Sequence, residues 1–332
     1  MLKLESDKPQ KILLFLHGLC EHSARSLPLA KALVKEGVNV YLPEHRGHGT
    51  RALSGDYQWI NELYLSDQSS GAIAKTLRQK HSKAELKQLR IQFTRACKSL
   101  CMGDHLLELR EHYFKIKAEF PDLPIYLGGF SLGGLLATAL SLDLEESGED
   151  VQKLLLVSPA FMATGAPIVP SNKFKHAIQE AGKHVVSLIH QWRSHESHLM
   201  TSTLRQIKKL NLNVHTDAAA SLASDLREEQ ELFKYDPLVS DRVPIAYLSE
   251  IQQLMVETQK KALESRVKTW ITYAEQDCII NPEGCAYFSR ERKKRDAKSL
   301  HVQAESDFAV HDLIRSSRFE NMKKFLVEGI HS

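Results

Sequence analysis

The sequence predicts an α/β fold, a mostly parallel, doubly wound sheet carrying an inserted helical cap, and three observations predict it. Short apolar runs of strand character alternate with helix-patterned segments through residues 1–160 and again through 265–332. Such alternation builds a parallel sheet covered by helices on both faces. A glycine-flanked serine, Gly129-Phe130-Ser131-Leu132-Gly133, stands between one of these strands and one of these helices. Between the two alternating stretches, residues 161–264 read as a helical block with no convincing strand.

Taken in order, Lys11–Leu16 is a central strand ending at His17-Gly18. Glu5 and Asp7 ahead of it, and His17 before Cys20, argue against a lipoprotein signal. Ser26–Glu36 is helical, with Leu27, Ala30, Leu33 and Val34 on one side and Gly37 closing it. Val38–Leu42 is the next strand, followed by the loop His45-Arg-Gly-His-Gly49. Residues 52–101 are polar and helix-prone, and about 65–98 read as a basic insert within the core. Asp104–Phe120 is a helix, Leu123–Leu127 a strand, and Gly134–Leu140 a buried helix. Val151–Val157 is a strand ending at Ser158-Pro159-Ala160. Inside the cap, Phe174, Ala177, Ile178, Ala181, Val185 and Leu188 follow the spacing of one helix face, with lysines and histidines opposite. Arg266–Tyr273 and Ser299–Val302 complete the strands, each followed by a helix, over Pro282–Lys294 and Asp312–Gly329. One core (1–160 with 265–332) under one cap (161–264) fits better than two independent domains.

Composition narrows the function classes. The 332 residues are 42% hydrophobic, enough for one large core, and no apolar run is long enough to cross a bilayer. Five scattered cysteines read as reduced thiols of a cytoplasmic protein rather than a disulfide framework. The net charge of +3 is uneven: Lys75–Lys98 carries +7 and Lys173–Lys209 carries +5, leaving −9 elsewhere. These basic segments lack the interleaved aromatics of nucleic-acid binders, so no nucleic-acid partner is expected. They admit instead a peripheral contact with an anionic membrane.

The chemistry rests on the serine. A nucleophile on a sharp strand-to-helix turn needs small neighbours, because side chains there would clash, and the turn aims the following helix N-terminus at the developing oxyanion. Ser131 is therefore the candidate nucleophile, with Gly129 and Gly133 as the elbow glycines. Asp277 follows the penultimate strand and His311 the last one. The chain order Ser, Asp, His is that of α/β-hydrolases, so the fold is expected to be an α/β-hydrolase fold. A hydroxyl needs an imidazole to take its proton, and the imidazole needs a carboxylate to fix its tautomer. Glu275, Glu305, Asp307 and Asp312 are rival acids nearby. The oxyanion is expected to accept from the N–H groups of Leu132 and of Leu19, just past Gly18. His45 and His48 lack supporting ligands at metal-site spacing and read as loop-structuring, so neither metal nor cofactor is expected.

With these residues placed, the chain resembles the monoacylglycerol lipase and lysophospholipase branch of the α/β-hydrolases, of serine aminopeptidase S33 type. The resemblance is carried by Leu16-His-Gly18 with Glu21-His-Ser23 and Arg25, by His45-Arg-Gly-His-Gly49, by the elbow with its extra Gly134, by Asp277 with Asn281-Pro-Glu-Gly284, and by Tyr235-Asp-Pro-Leu238 in the cap. It implies a cap over an acyl-chain tunnel and hydrolysis of a fatty-acyl ester of glycerol or a lysophospholipid. Phe130 stands where the family usually has histidine and Glu44 where it has aspartate. The opening hairpin reads as shortened, the cap as enlarged between Val169 and His215, and the basic insert of 72–98 has no family counterpart.

The leading expectation is thus a cofactor-independent serine hydrolase of a small lipid ester. Acyl transfer to an alcohol or thiol would use the same residues. A membrane- or protein-binding module built on a secondary hydrolase core is the reading from a different class. Oligomeric state is not legible in the sequence.

Overall fold

The computed structural model describes residues 1–162, 213–215, 224–277 and 279–332. Seven strands form one sheet: β1 (Leu2–Leu4), β2 (Lys11–Leu16), β3 (Val38–Leu42), β4 (Ile125–Phe130), β5 (Lys153–Val157), β8 (Lys268–Ala274) and β9 (Leu300–Glu305). Their spatial order is β1-β3-β2-β4-β5-β8-β9. All neighbours run parallel except β1, which pairs antiparallel with β3. The chain thus adopts the α/β-hydrolase arrangement, in which a central strand is packed on both faces.

Strand β2 shows why. Leu13 and Phe15 belong to one apolar core and Ile12, Leu14 and Leu16 to the other, all buried. A strand covered on both faces has no solvated side to alternate with, so its sequence is a continuous apolar run. Helices α1 (Leu27–Val34), α5 (Met102–Glu119), α6 (Leu132–Glu146), α9 (Pro282–Arg295) and α10 (Phe319–His331) flank the sheet. Helix α9 begins with Asn281 accepting from Glu283 N–H at 3.0 Å and with Pro282 at its first position, a strong N-terminal stop for the preceding loop.

Between β3 and α5 lie α2 (Gln58–Leu65), α3 (Ser70–Lys80) and α4 (Lys83–Cys97). Helix α4 opens with a capping box between Ser82 and Glu85. Helix α3 packs on α7 (Arg227–Tyr235), and α4 packs on the short strand β7 (Arg242–Pro244) that precedes α8 (Ile245–Ala262). No helix among the described residues is long and apolar enough to cross a membrane.

Several local expectations are corrected. Residues 161–264 are not free of strand: β6 (Asn213–His215) and β7 form a two-stranded antiparallel ladder. Three-residue strands leave too short a pattern to read. Strand β1 is missing from the sequence reading for the same reason. Strand β4 runs through both glycines to Phe130, because β2 pairs with it up to Gly129 and β5 up to Phe130. The last helix starts at Phe319 rather than Asp312, which instead caps a 3-10 turn at Leu313–Arg315. The amphipathic segment around Phe174–Leu188, the second basic segment and most of the enlarged part of the cap lie outside the described residues.

Candidate active site

Parallel strands align their carboxyl ends, and the register sets which residues meet there. Leu16 is opposite Gly129, and Phe130, Val157 and Thr272 lie in one row across β4, β5 and β8. Ser131 leaves that row at φ 53° and ψ −117°, a left-handed conformation that costs a non-glycine residue of order 1–3 kcal/mol. Its backbone is held from both sides: Ser131 N–H donates to Val157 O at 3.0 Å, and Ala160 N–H donates to Ser131 O at 3.0 Å. The flanking glycines leave the helix room to approach. A Cβ on Gly129 would stand 2.3 Å from Gly133 O, and one on Gly133 would stand 2.0 Å from Leu16 O. The Ser131 side chain is buried at the start of α6, with residue exposure of 7%.

His311 and Asp277 are brought into contact from the loops after β9 and β8. His311 Nδ1 donates to Asp277 Oδ2 at 2.6 Å. Asp277 Oδ1 accepts from the N–H groups of Ile279 and Ile280 at 2.8 and 3.0 Å, so both carboxylate oxygens are committed and the carboxylate cannot rotate freely. The His311 backbone is held by Ser158 Oγ, which donates to its carbonyl at 2.9 Å, and its imidazole packs on the Phe130 ring at 4.9 Å between centroids. His311 Nε2 is buried and makes no hydrogen bond. Burial would lower the imidazole pKa, but the Asp277 charge and hydrogen bond, with Asp312 and Glu21 behind them, raise it above the ordinary 6.5.

The rival acids are engaged elsewhere. Glu305 lies 3.8 Å from Arg318 Nε, Asp307 accepts from Gln276, and Glu275 is exposed. Asp312 adjoins His311 in sequence, yet its carboxylate faces Arg25 at 3.5 Å and caps Ile314 N–H and Arg315 N–H. Among the described residues no protein acceptor is recorded for the N–H of Leu19 or of Leu132. Gly18 N–H donates to Glu21 Oε1 at 2.6 Å, and a Cβ on Gly18 would stand 3.0 Å from the Phe130 ring.

Sequence reasoning missed how these loops are tied together. Arg25 Nε donates to Glu21 Oε2 at 3.0 Å, so Glu21 and Arg25 bridge the Gly18 loop to Asp312, beside the candidate base. Burial drives the Asp312 pKa up to about 6, Glu21 adding to the rise and Arg25 and Arg315 opposing it. His22 Nε2 meets Asp236 Oδ2 at 2.9 Å, and Tyr64 OH also donates to Asp236. Two sequence elements separated by 214 positions are therefore one buried pair. The i,i+4 spacing of Glu21 and Arg25 was the only local signal.

His45 and His48 pack with His17 and His105 as a cluster of tilted and edge-on rings, and His45 N–H donates to His17 Nε2 at 3.1 Å. Burial, with His17 and His105 close by, drives the His48 pKa down to about 3, so it stays neutral near pH 7. The group holds the loop after β3 against the loop after β2.

The raised His311 pKa sets a kinetic expectation. A base must be neutral to act, so kcat/KM for a soluble ester should rise with pH along a limb centred above 6.5. The same shift acts on stability with the opposite sense. The protonated pair stabilises the folded state fully below pH 6.5, and that contribution is lost as pH rises through the higher folded-state value. A limb at or below 6.5 would mean that Asp277 does not raise the imidazole, and a profile with no limb in the histidine range would remove His311 as the base.

The model of the family described as serine aminopeptidase, S33, matches residues 7–86 and 101–315. A monoglyceride lipase homolog of Monkeypox virus is 19% identical over 306 residues, covering 90% of this chain and 84% of the viral protein. Among solved structures, the monoacylglycerol lipase of Paleococcus ferrophilus is similar with a TM-score of 0.64 at 18% identity, over 100% of this chain and 99% of that one. A soluble variant of the Saccharomyces cerevisiae monoglyceride lipase, in complex with a substrate analog, is similar with a TM-score of 0.59 at 12% identity, over 99% and 90% of the two chains.

Proposed function

The chain belongs to the serine aminopeptidase S33 family, and from that premise we propose that it is a serine hydrolase of carboxylic esters whose substrate is a monoacylglycerol or a lysophospholipid. The observation that carries the reading is the buried Asp277–His311 pair with an unpartnered Nε2, at the same sheet edge as the strained Ser131 turn. The monoglyceride lipase names of similar proteins support the substrate class.

In this mechanism Ser131 Oγ attacks the acyl carbonyl while its proton passes to His311 Nε2. Asp277 holds the proton-bearing Nδ1 in place and stabilises the imidazolium as it forms. The tetrahedral oxyanion accepts from Leu19 N–H and Leu132 N–H, each such donor contributing about 3–4 kcal/mol. Collapse breaks the bond to the alcohol, which leaves with the proton from His311. Water, deprotonated by the same imidazole, then releases the acid and restores Ser131.

The test is a panel of monoacylglycerols and lysophospholipids of increasing chain length, beside a triacylglycerol and an aminoacyl amide. Turnover of the single-chain esters well above the other two is the expected result. Preference for the amide would overturn the ester reading. Added glycerol separates the acyl-transfer alternative, because a transferase would form new glyceride at the expense of free acid.

A further inference from the structure

We propose that the basic surface formed by α3 and α4 is a docking face for an anionic lipid surface. Three observations converge on it. The family model matches through residue 86, Lys75 and Lys83 included, and leaves residues 87–100 unmatched, so most of α4 and the turn after it lie outside what the family model describes. Lys83, Lys87, Arg95 and Lys98 fall on the side of α4 away from its buried residues Leu86, Leu89, Phe93 and Cys97. Together with Lys75 of α3 they are exposed, and among the described residues none has a carboxylate partner. The sole acid of Lys75–Lys98, Glu85, is held in the capping box at the start of α4.

The face is rigidly attached at the edge where the site lies. Cys97 Sγ lies 3.3 Å from Gly47 O, the Phe93 ring packs edge-on to His48 at 5.0 Å, and Arg90 pairs with Asp241 at 2.9 Å. Gly47 and His48 belong to the loop after β3, which packs on the His17–Gly18 loop. Phe93 and Cys97 therefore anchor the C-terminal part of α4, with Arg95 and Lys98, to the loop after β3, at the carboxyl edge of the sheet that also carries Ser131. Lipid is favoured over nucleic acid because none of these five cations stands over an aromatic ring, Phe93 is buried, and the nearby half-buried Trp59 is already covered by His81 and Lys80. The choice of lipid also rests on the reading of the protein as a lipid-ester hydrolase, for which adsorption next to the site brings substrate and nucleophile to one plane.

The test is sedimentation of the full chain with phosphatidylcholine vesicles, with and without phosphatidylserine, across a salt series. Wild type should sediment with the anionic vesicles at low salt and be released as salt rises. The variant Lys83→Gln/Lys87→Gln/Arg95→Gln/Lys98→Gln should bind them at least about tenfold more weakly, given the contribution of each basic residue near an anionic surface. A control on the opposite sheet edge, Lys293→Gln/Lys294→Gln at the end of α9, should bind as wild type does. Undiminished binding by the fourfold variant, equal binding to neutral vesicles, or tighter binding to duplex DNA would each overturn the proposal. Hydrolysis of a water-soluble short-chain ester is measured on the same samples. Wild type and fourfold variant should be equal there. Absence of that hydrolysis in wild type would sink the hydrolase reading, while the sedimentation result judges the docking face by itself.

Discussion

Ser131→Ala should lower ester hydrolysis by about 10⁴- to 10⁶-fold, the loss expected when the nucleophile is taken from an acting triad. Removing one oxygen changes little else, because the Ser131 backbone is fixed by its bonds to Val157 and Ala160 rather than by its hydroxyl. The left-handed backbone at this position is strained for alanine as it is for serine, so folding should be retained. The direct readout is intact mass after a fluorophosphonate probe: one adduct on wild type and none on the variant. Ser158 is the internal comparison. It also has a positive φ, 42°, at the end of the next strand, but its hydroxyl already donates to His311 O. An adduct that persists on Ser131→Ala would move the nucleophile elsewhere, and no adduct on folded wild type would disarm the proposed triad.

The second large effect is expected from Asp277→Asn, about 10⁴-fold in kcat. The amide would keep an oxygen for the Ile279 and Ile280 N–H groups, so the loop after β8 should hold its shape. Its NH₂ would then face His311 Nδ1 where a carboxylate oxygen stood at 2.6 Å. That contact forces Nδ1 to accept and places the proton on Nε2, the nitrogen that has to take the proton of Ser131. The pH profile distinguishes this from mere loosening. Without the carboxylate the imidazole loses the charge that raises its pKa, so the limb of the residual activity should shift to lower pH. A drop of less than about tenfold in kcat would place the orienting acid elsewhere.

Much of the fold was legible because its central strands are buried on both faces. Lys11–Leu16, Val38–Leu42 and Val151–Val157 are apolar runs bounded by turns, and the alternation with helices fixes their parallel sense. What escaped was short or decided at a distance. Leu2–Leu4 and Asn213–His215 are strands only because partner strands lie alongside, and three residues carry no period of their own. Asp312 was one of five acids near a single histidine, and no local pattern says that it would face Arg25 and leave Asp277 to the imidazole.

The sequence by itself determined the parallel strands of the sheet, the strand-to-helix turn at Ser131 and the order of the candidate residues, because period, glycine placement and chain order are local properties. Only the tertiary structure decided which partners meet. Asp277 reaches His311 across 34 positions, His22 reaches Asp236 across 214, and Cys97 reaches Gly47 across 50. Such pairings follow from strand register and loop packing, which a hydrophobic pattern does not encode. Lys83, Lys87, Arg95 and Lys98 read in the sequence as part of a basic insert admitting contact with an anionic membrane, with nothing local to say where on the fold it would stand. Their place on the surface was set when Phe93 and Cys97 packed onto the His45–Gly49 loop and left the cations outside.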